Sequence, residues 1–230
     1  MKISILSLFP DFFTSALQSS MLKRAIENGI IEVELVNVRD FGEGKHKIVD
    51  DRPFGGGPGM LMKVDPIVKA IESVKTDKSH VIYLSPQGEV LSAKKCEAMA
   101  KSHTHLILLC GHYEGIDQRA IDLMVDEEIS IGDYVLTSGM IPALVLLDGT
   151  LRFIEGGVGN SDSAYQDTFH GEEGLKGPQY TRPAVYKEIE VPKVLQSGNH
   201  QEIAVWRKER GALRTKDREN KNTRMASCIR

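Results

Sequence analysis

Cysteine is scarce here. Cys96, Cys110 and Cys228 are scattered and odd in number, without the close spacing of a metal site or the even set of a disulfide scaffold. That usage favours a reducing, cytoplasmic setting. No apolar run is long enough to cross a membrane. After Met1-Lys2, the stretch Ile3-Ser4-Ile5-Leu6-Ser7-Leu8-Phe9 is too short for a signal sequence. It leads into an acid-containing amphipathic segment instead of a small-residue cleavage site, so it is expected to be a buried first strand. Several nucleotide and nucleophile signatures are also missing. No GxGxxG follows a strand and no GxSxG elbow occurs. Gly55-Gly56-Gly57-Pro58-Gly59-Met60 has neither the lysine nor the hydroxyl of a phosphate loop. Seven histidines are present, but none pairs with cysteine or another histidine at ligand spacing. These absences disfavour a dinucleotide Rossmann site, a serine hydrolase and a histidine–cysteine metal centre.

What remains is an ordinary globular composition, 41% hydrophobic and 27% charged, in 230 residues. That length suits one large domain with a smaller appendage. The charge is unevenly placed. From Val205 onward nine Lys/Arg stand against three Asp/Glu, although the whole chain carries a net −3. A basic tail on an acidic body suits a polyanion-binding appendage, the alternative being a solvated helix with a disordered end.

Short apolar runs with β-branched residues recur at residues 3–9, 31–38, 80–84, 106–110 and 128–131. Helix-period stretches lie between most of them, at 12–27, 65–74, 93–102 and 119–125, and 141–154 reads as a further apolar helix. Alternation of this kind predicts an α/β fold with a parallel sheet covered on both faces. Residues 155–178 are rich in Gly, Ser, Asp and Glu and read as a linker or loop. Beyond them a small helical domain of about 50 residues is expected, with residues 216–230 polar and irregular.

In open parallel sheets, ligands bind beyond the carboxyl ends of the strands. Three successive strand ends here carry polar, glycine-containing loops: Ser85-Pro86-Gln87-Gly88, Gly111-His112-Tyr113-Glu114-Gly115-Ile116-Asp117, and Gly132-Asp133-Tyr134-Val135-Leu136-Thr137-Ser138-Gly139. One such loop would be an ordinary turn, whereas three in succession predict a ligand pocket. His112 follows a loop glycine and could act as an acid or base but is read chiefly as structural, and His103 and His105 as a helix end and a strand start. Asp50-Asp51-Arg52-Pro53-Phe54-Gly55-Gly56-Gly57-Pro58-Gly59-Met60 holds four glycines and two prolines, too many for a helix interior or a central strand. It is either an ordered loop beside a polar ligand or a solvated connection. Arg152 ends the last helix, while Asp162 and Asp167 lie in the linker, where a carboxylate could serve as a general base or merely solvate the chain.

Taken together, these segments resemble the bacterial tRNA (guanine-N1)-methyltransferases of the TrmD type. The likeness rests on Val49 through Met60, Tyr83-Leu84-Ser85-Pro86-Gln87-Gly88, Cys110 through Asp117, and Ser130-Ile131-Gly132-Asp133-Tyr134-Val135-Leu136. Gln179-Tyr180-Thr181-Arg182-Pro183 and Leu195-Gln196-Ser197-Gly198-Asn199-His200 extend it to the smaller domain. The resemblance implies a SPOUT-type sheet ending in a trefoil knot, a homodimer with its sites at the subunit interface, and methyl transfer from S-adenosylmethionine to N1 of guanosine 37 in tRNA. It further implies a cofactor-binding knotted domain at 1–156, a linker at 157–178 and a helical tRNA-binding domain at 179–230. On the same ground the cofactor would sit among Leu84, Ser85, Pro86, Gly111, Glu114, Ile131, Gly132, Asp133, Tyr134, Val135 and Leu136, with Gly139 and Pro142 closing the pocket. Asp167 would be the base and Arg152 the stabiliser of negative charge on the guanine carbonyl oxygen. A divalent ion is left open, and no membrane or other protein partner is implied.

Where the family pattern is Gly-Gly-Glu-Leu-Pro, this chain reads Ser138-Gly139-Met140-Ile141-Pro142, and two of the departures matter. Ser138 adds a Cβ that is costly where the backbone needs a positive φ, and Met140 removes a carboxylate. They motivate one competing reading, a relative that binds RNA without catalysis. Another, a small-molecule α/β enzyme, leaves the basic tail unexplained.

Overall fold

The computed structural model describes residues 1–158, 167–169 and 174–228, with backbone alone for 224–228. Asp162 and much of the linker lie outside the described residues. The chain divides into two units, Met1–Ser161 and Asp162–Arg230.

In chain order the first unit contains β1 (Lys2–Ser7), α1 (Thr14–Leu17), α2 (Ser20–Glu27), β2 (Glu32–Asn37), β3 (Asp50–Asp51), β4 (Leu61–Met62) and α3 (Val64–Glu72). There follow β5 (Ser79–Val90), α4 (Ala93–Ser102), β6 (His105–Cys110), α5 (Gln118–Met124), β7 (Glu127–Ser130) and α6 (Met140–Leu151). Five strands form one parallel sheet in the order β2-β1-β6-β5-β7. Alternate residues feed two cores, because successive side chains of a strand point to opposite faces. Ile3, Ile5, Ile82, Leu84, Leu106 and Leu108 meet Leu22 of α2, Met99 of α4 and Leu146, Leu147 and Leu151 of α6. Leu6, Val81, Tyr83, Ile107 and Leu109 meet Ile67 and Ile71 of α3 and Ala120 of α5. Every residue of β6 is buried, and each of its large aliphatic side chains contributes roughly 1.5–3 kcal/mol of burial.

The amino edge of the sheet is tied by a polar chain. The buried His105 ring lies 2.9 Å by Nε2 from Ser4 Oγ and 2.8 Å by Nδ1 from Ser79 Oγ. Ser4 Oγ donates to Glu34 Oε2 at 3.2 Å. Its single hydrogen is thereby used, so Nε2–H of His105 donates to Ser4 and Ser79 donates to Nδ1. Burial, with a smaller push from Lys2, holds this imidazole below its usual 6.5.

The stretch 12–27 departs from expectation, since it is not one helix. A 3₁₀ turn covers Pro10–Phe13, α1 follows, and α2 begins anew after an extended Ser19. The Ser19 hydroxyl donates back to the Ser15 carbonyl at 2.7 Å, a local bond of the kind that competes with helix continuation. β5 does not end at Leu84 either. It leaves the sheet at residues 85–88 and returns, so that Ile129 of β7 faces both Leu84 and Glu89. Gly88 permits the return: a Cβ there would lie 2.3 Å from the Glu128 carbonyl carbon.

The second unit contains β8 (Val185–Tyr186), β9 (Ile189–Glu190), α7 (Lys193–Gln196) and α8 (His200–Cys228). It is not purely helical: β8 and β9 form a hairpin turning on Lys187 and Glu188, both with positive φ. Residues 216–228 are helical, against the expectation of an irregular tail. No glycine or proline follows Gly211, and Lys, Arg, Glu and Ala sustain a helix by propensity. A helix polar on all sides carries no apolar stripe, so its hydrophobic pattern reads as irregular. No helix among the described residues is long and apolar enough to cross a membrane.

Candidate functional site

Because β5, β6 and β7 are parallel, the loops after Leu84, Cys110 and Ser130 open on one edge of the sheet. They enclose a cleft of about 280 Å³. Leu84, Ser85 and Pro86 line it from β5, Gly111 and Glu114 from β6, and Ile131, Gly132, Tyr134, Val135 and Leu136 from β7. Gly139 and Pro142 close it where α6 begins.

The backbone of this cleft is set by short local bonds. Ser130 Oγ donates to the Gly132 carbonyl at 3.0 Å and accepts from Gly132 N–H at 3.1 Å, folding the loop back at once. Gly139 N–H donates to the Gly111 carbonyl at 2.9 Å, joining the start of α6 to the end of β6. A Cβ on Gly139 would stand 3.0 Å from Cys110 Cα and Gly111 N, so any larger residue would have to push this backbone aside by a few tenths of an ångström. Pro142 falls in the first turn of α6, where its missing N–H has no intrahelical acceptor to lose. Tyr113 holds φ 59°, a strained value for a bulky residue, within the loop that presents Glu114.

The glycine-rich segment is fastened to the same loop. Asp50–Asp51 pairs antiparallel with Leu61–Met62. Glu114 N–H donates to the Met60 carbonyl and Met62 N–H to the Gly115 carbonyl, each at 3.0 Å. Gly59 stands so close to Glu114 that a Cβ would fall 2.4 Å from its Cγ. The segment is thus an ordered loop beside the cleft, with Phe54 fully exposed at its tip.

Other expected site residues lie elsewhere. Asp133 is exposed and does not line the cleft, although its neighbours do. Arg152 follows the last residue of α6, and the twelve-residue helix between them places it about 20 Å along the axis from Gly139. Asp167 belongs to the second unit, where its Oδ1 accepts from Thr168 N–H at 2.8 Å and lies 3.2 Å from Lys176 Nζ. There a broad groove of about 1600 Å³ is lined by Asp167, Lys176, Tyr180, Arg182, Arg207 and Lys208, among others.

Of three further cleft residues, His112 and Tyr113 belong to a loop expected at the pocket, whereas Tyr83 was expected only within a strand. Tyr83 lies under Gly111, whose Cβ would meet its hydroxyl at 2.9 Å. Burial, aided by Glu128, pushes that phenol up to about 12. His112 lines the cleft with its ring 5.3 Å from that of Phe9 and 4.8 Å from that of Tyr113, and Tyr113 lines it as well. Their position in a strand-end loop was the available signal. The departure at Ser138 proves harmless to the backbone, since its φ is not positive and its hydroxyl accepts from Met140 N–H at 3.4 Å. Met140 packs against the core. Among the described residues no group of three or more His, Cys, Asp or Glu side chains is placed to hold a metal ion.

A parallel α/β sheet with a ligand cleft formed by three consecutive strand-end loops defines the class. Residues 1–223 match the family described as tRNA (Guanine-1)-methyltransferase TrmD, and the chain belongs to that family. It is 57% identical over 219 residues to a tRNA (guanine-N(1)-)-methyltransferase of Chlamydia pneumoniae, covering 95% of this chain and 60% of that protein. A protein of the same name from Protochlamydia amoebophila is 54% identical over 217 residues, covering 94% of this chain and 97% of that one. For the one from Chlamydia trachomatis serovar D the values are 56% over 219 residues, 95% and 61%. The chain therefore spans about three fifths of the length of the Chlamydia relatives and nearly all of the Protochlamydia one.

Proposed function

We propose that this protein transfers a methyl group from S-adenosylmethionine to N1 of guanosine 37 in tRNA. The observation that carries the reading is the cleft, in which loops from β5, β6 and β7 converge in a chain of this family. Its chemistry fits a purine-bearing cation. Leu84, Val135 and Leu136 offer apolar surface for a ring, tight backbone turns offer N–H and C=O groups for its edge, and the Glu114 carboxylate suits an ammonium. S-adenosylmethionine supplies, as co-substrate, a methyl group already activated by the sulfonium charge.

The chain's own task is to orient guanine and manage its proton. Asp167 takes the N1 proton as the nitrogen is alkylated, and Arg152 offsets the negative charge that develops on the neighbouring carbonyl oxygen. The second unit, with its basic α8, engages tRNA. The functional parts are residues 1–156 for the cofactor, 157–178 as linker and 179–230 for tRNA, in a cytoplasmic protein.

The working form is a homodimer. Ile141 and Val145 on α6, together with Phe9 and Phe12 by the neighbouring Pro10–Phe13 turn, expose apolar surface that a second copy would bury. The distance of Arg152 from the cleft along α6 suits a site completed by two chains. The topology is a trefoil knot, a reading supported by the segment between β7 and α6, which passes from the sheet edge back to Gly111 at the end of β6.

Purified protein with labelled S-adenosylmethionine is expected to methylate a tRNA transcript carrying guanosine at position 37 and to ignore one carrying adenosine. Asp167→Asn should lower turnover about 10²- to 10⁴-fold with cofactor affinity nearly unchanged. Binding of both substrates without any transfer would instead establish the binding-only reading.

A further inference from the structure

We infer that Lys176 is a positioning residue for Asp167, holding its carboxylate in the orientation that proton abstraction requires. The inference rests on the reading of Asp167 as the base. Lys176 Nζ lies 3.2 Å from Asp167 Oδ1, the same oxygen that accepts from Thr168 N–H. Two donors on one oxygen fix the carboxylate plane more firmly than either alone, and a charged donor does so most strongly.

The lysine is itself held in place. Its own N–H donates to Thr168 Oγ1 at 3.3 Å, which ties the segment bearing the base to the segment bearing the cation. On its other side the chain is clamped to α8. Leu175 N–H donates to Thr215 Oγ1 at 2.9 Å, Thr215 Oγ1 donates to the Gly211 carbonyl at 3.0 Å, and Arg214 Nη1 reaches the Lys176 carbonyl at 3.3 Å. Gly211 permits this approach, since a Cβ there would fall 2.4 Å from the Leu175 carbonyl oxygen. Arg218 stands over the Phe169 ring at 4.6 Å, so α8 grips both segments. The half-exposed ion pair contributes little to stability by itself, and its value here is geometric. Through Lys176, the long helix sets the attitude of a side chain at the reacting atoms.

The test compares Lys176→Met, Lys176→Arg and Thr215→Val in single-turnover methylation of a guanosine-37 transcript, alongside tRNA affinity, cofactor affinity and thermal midpoint. Misplacing a reacting group by about 1 Å costs up to about 10²-fold, so Lys176→Met should lose about ten-fold or more in kcat with KM and both affinities within about two-fold. Lys176→Arg should recover most of that loss. Thr215→Val, which leaves the lysine but loosens its anchor, should fall between. The inference is overturned if Lys176→Met keeps wild-type kcat, if its defect lies in KM alone, or if Lys176→Arg is as slow as Lys176→Met. Wild-type protein without turnover overturns the methyltransferase reading and this inference with it, whereas active wild type beside an unimpaired Lys176→Met overturns the inference alone.

Discussion

At the scale of single residues, two contacts decide much of the behaviour. Gly139 joins the cleft to α6 so closely that a Cβ there would crowd the Cys110–Gly111 backbone at 3.0 Å. Gly139→Ala should therefore destabilise by about 1–3 kcal/mol, as overpacking does, and weaken binding of S-adenosylhomocysteine, as calorimetry would register. His105 is the second. Its pKa lies below 6.5 in the folded chain and near 6.5 in the unfolded one, so between those values the unfolded state binds more protons. Its stabilising contribution is complete above about pH 6.5 and is lost as pH falls from there. The urea midpoint should decline between pH 7.5 and 5.5, and the decline should be shallower in His105→Asn. Glu34 and Glu127 are held below the usual carboxylate value, Glu34 by Lys2 and Glu127 by Lys95 and His80 against the cost of burial. Their contributions disappear only below about pH 4.5, outside that window.

At the scale of elements, β7 depends on one glycine. Gly88→Ala would drive a Cβ into the Glu128–Ile129 backbone. It should detach the edge strand, visible as loss of amide protection in residues 127–130 and a markedly lower thermal midpoint. The sequence carried most of this architecture: the five sheet strands stand where apolar runs with β-branched residues occur, and α4 has the predicted bounds. Periodicity failed where local chemistry overrode it. Ser19 interrupts a helix through its own hydroxyl, the 85–88 excursion depends on a steric fit between two backbones, and residues 216–228 of α8 carry no apolar stripe to reveal how far the helix runs. Of the site, the three loops were legible because glycine, proline and serine mark strand ends. Tyr83 was not, because it stands inside the 80–84 strand run and most of it packs in the core.

At the scale of the whole molecule, the expected cofactor residues of the cleft fall in Met1–Ser161 and the expected base in Asp162–Arg230. Both hydrophobic cores belong to the first unit. A fragment ending at Ser161 should therefore bind S-adenosylhomocysteine within a few-fold of the full chain, while its methyl transfer to tRNA falls to background. The position of β6 also bears on how the molecule is made. It is the central strand, yet both of its neighbours, β1 and β5, precede it in the chain. Lys2, paired on one side with Glu32, must wait for His105 on the other. A nascent chain that has displayed only β1, β2 and β5 holds two apolar strand edges with an empty lane between them. Such a species invites association with other chains, so the interval before residue 110 leaves the ribosome is the time when this sheet is most open to mispairing.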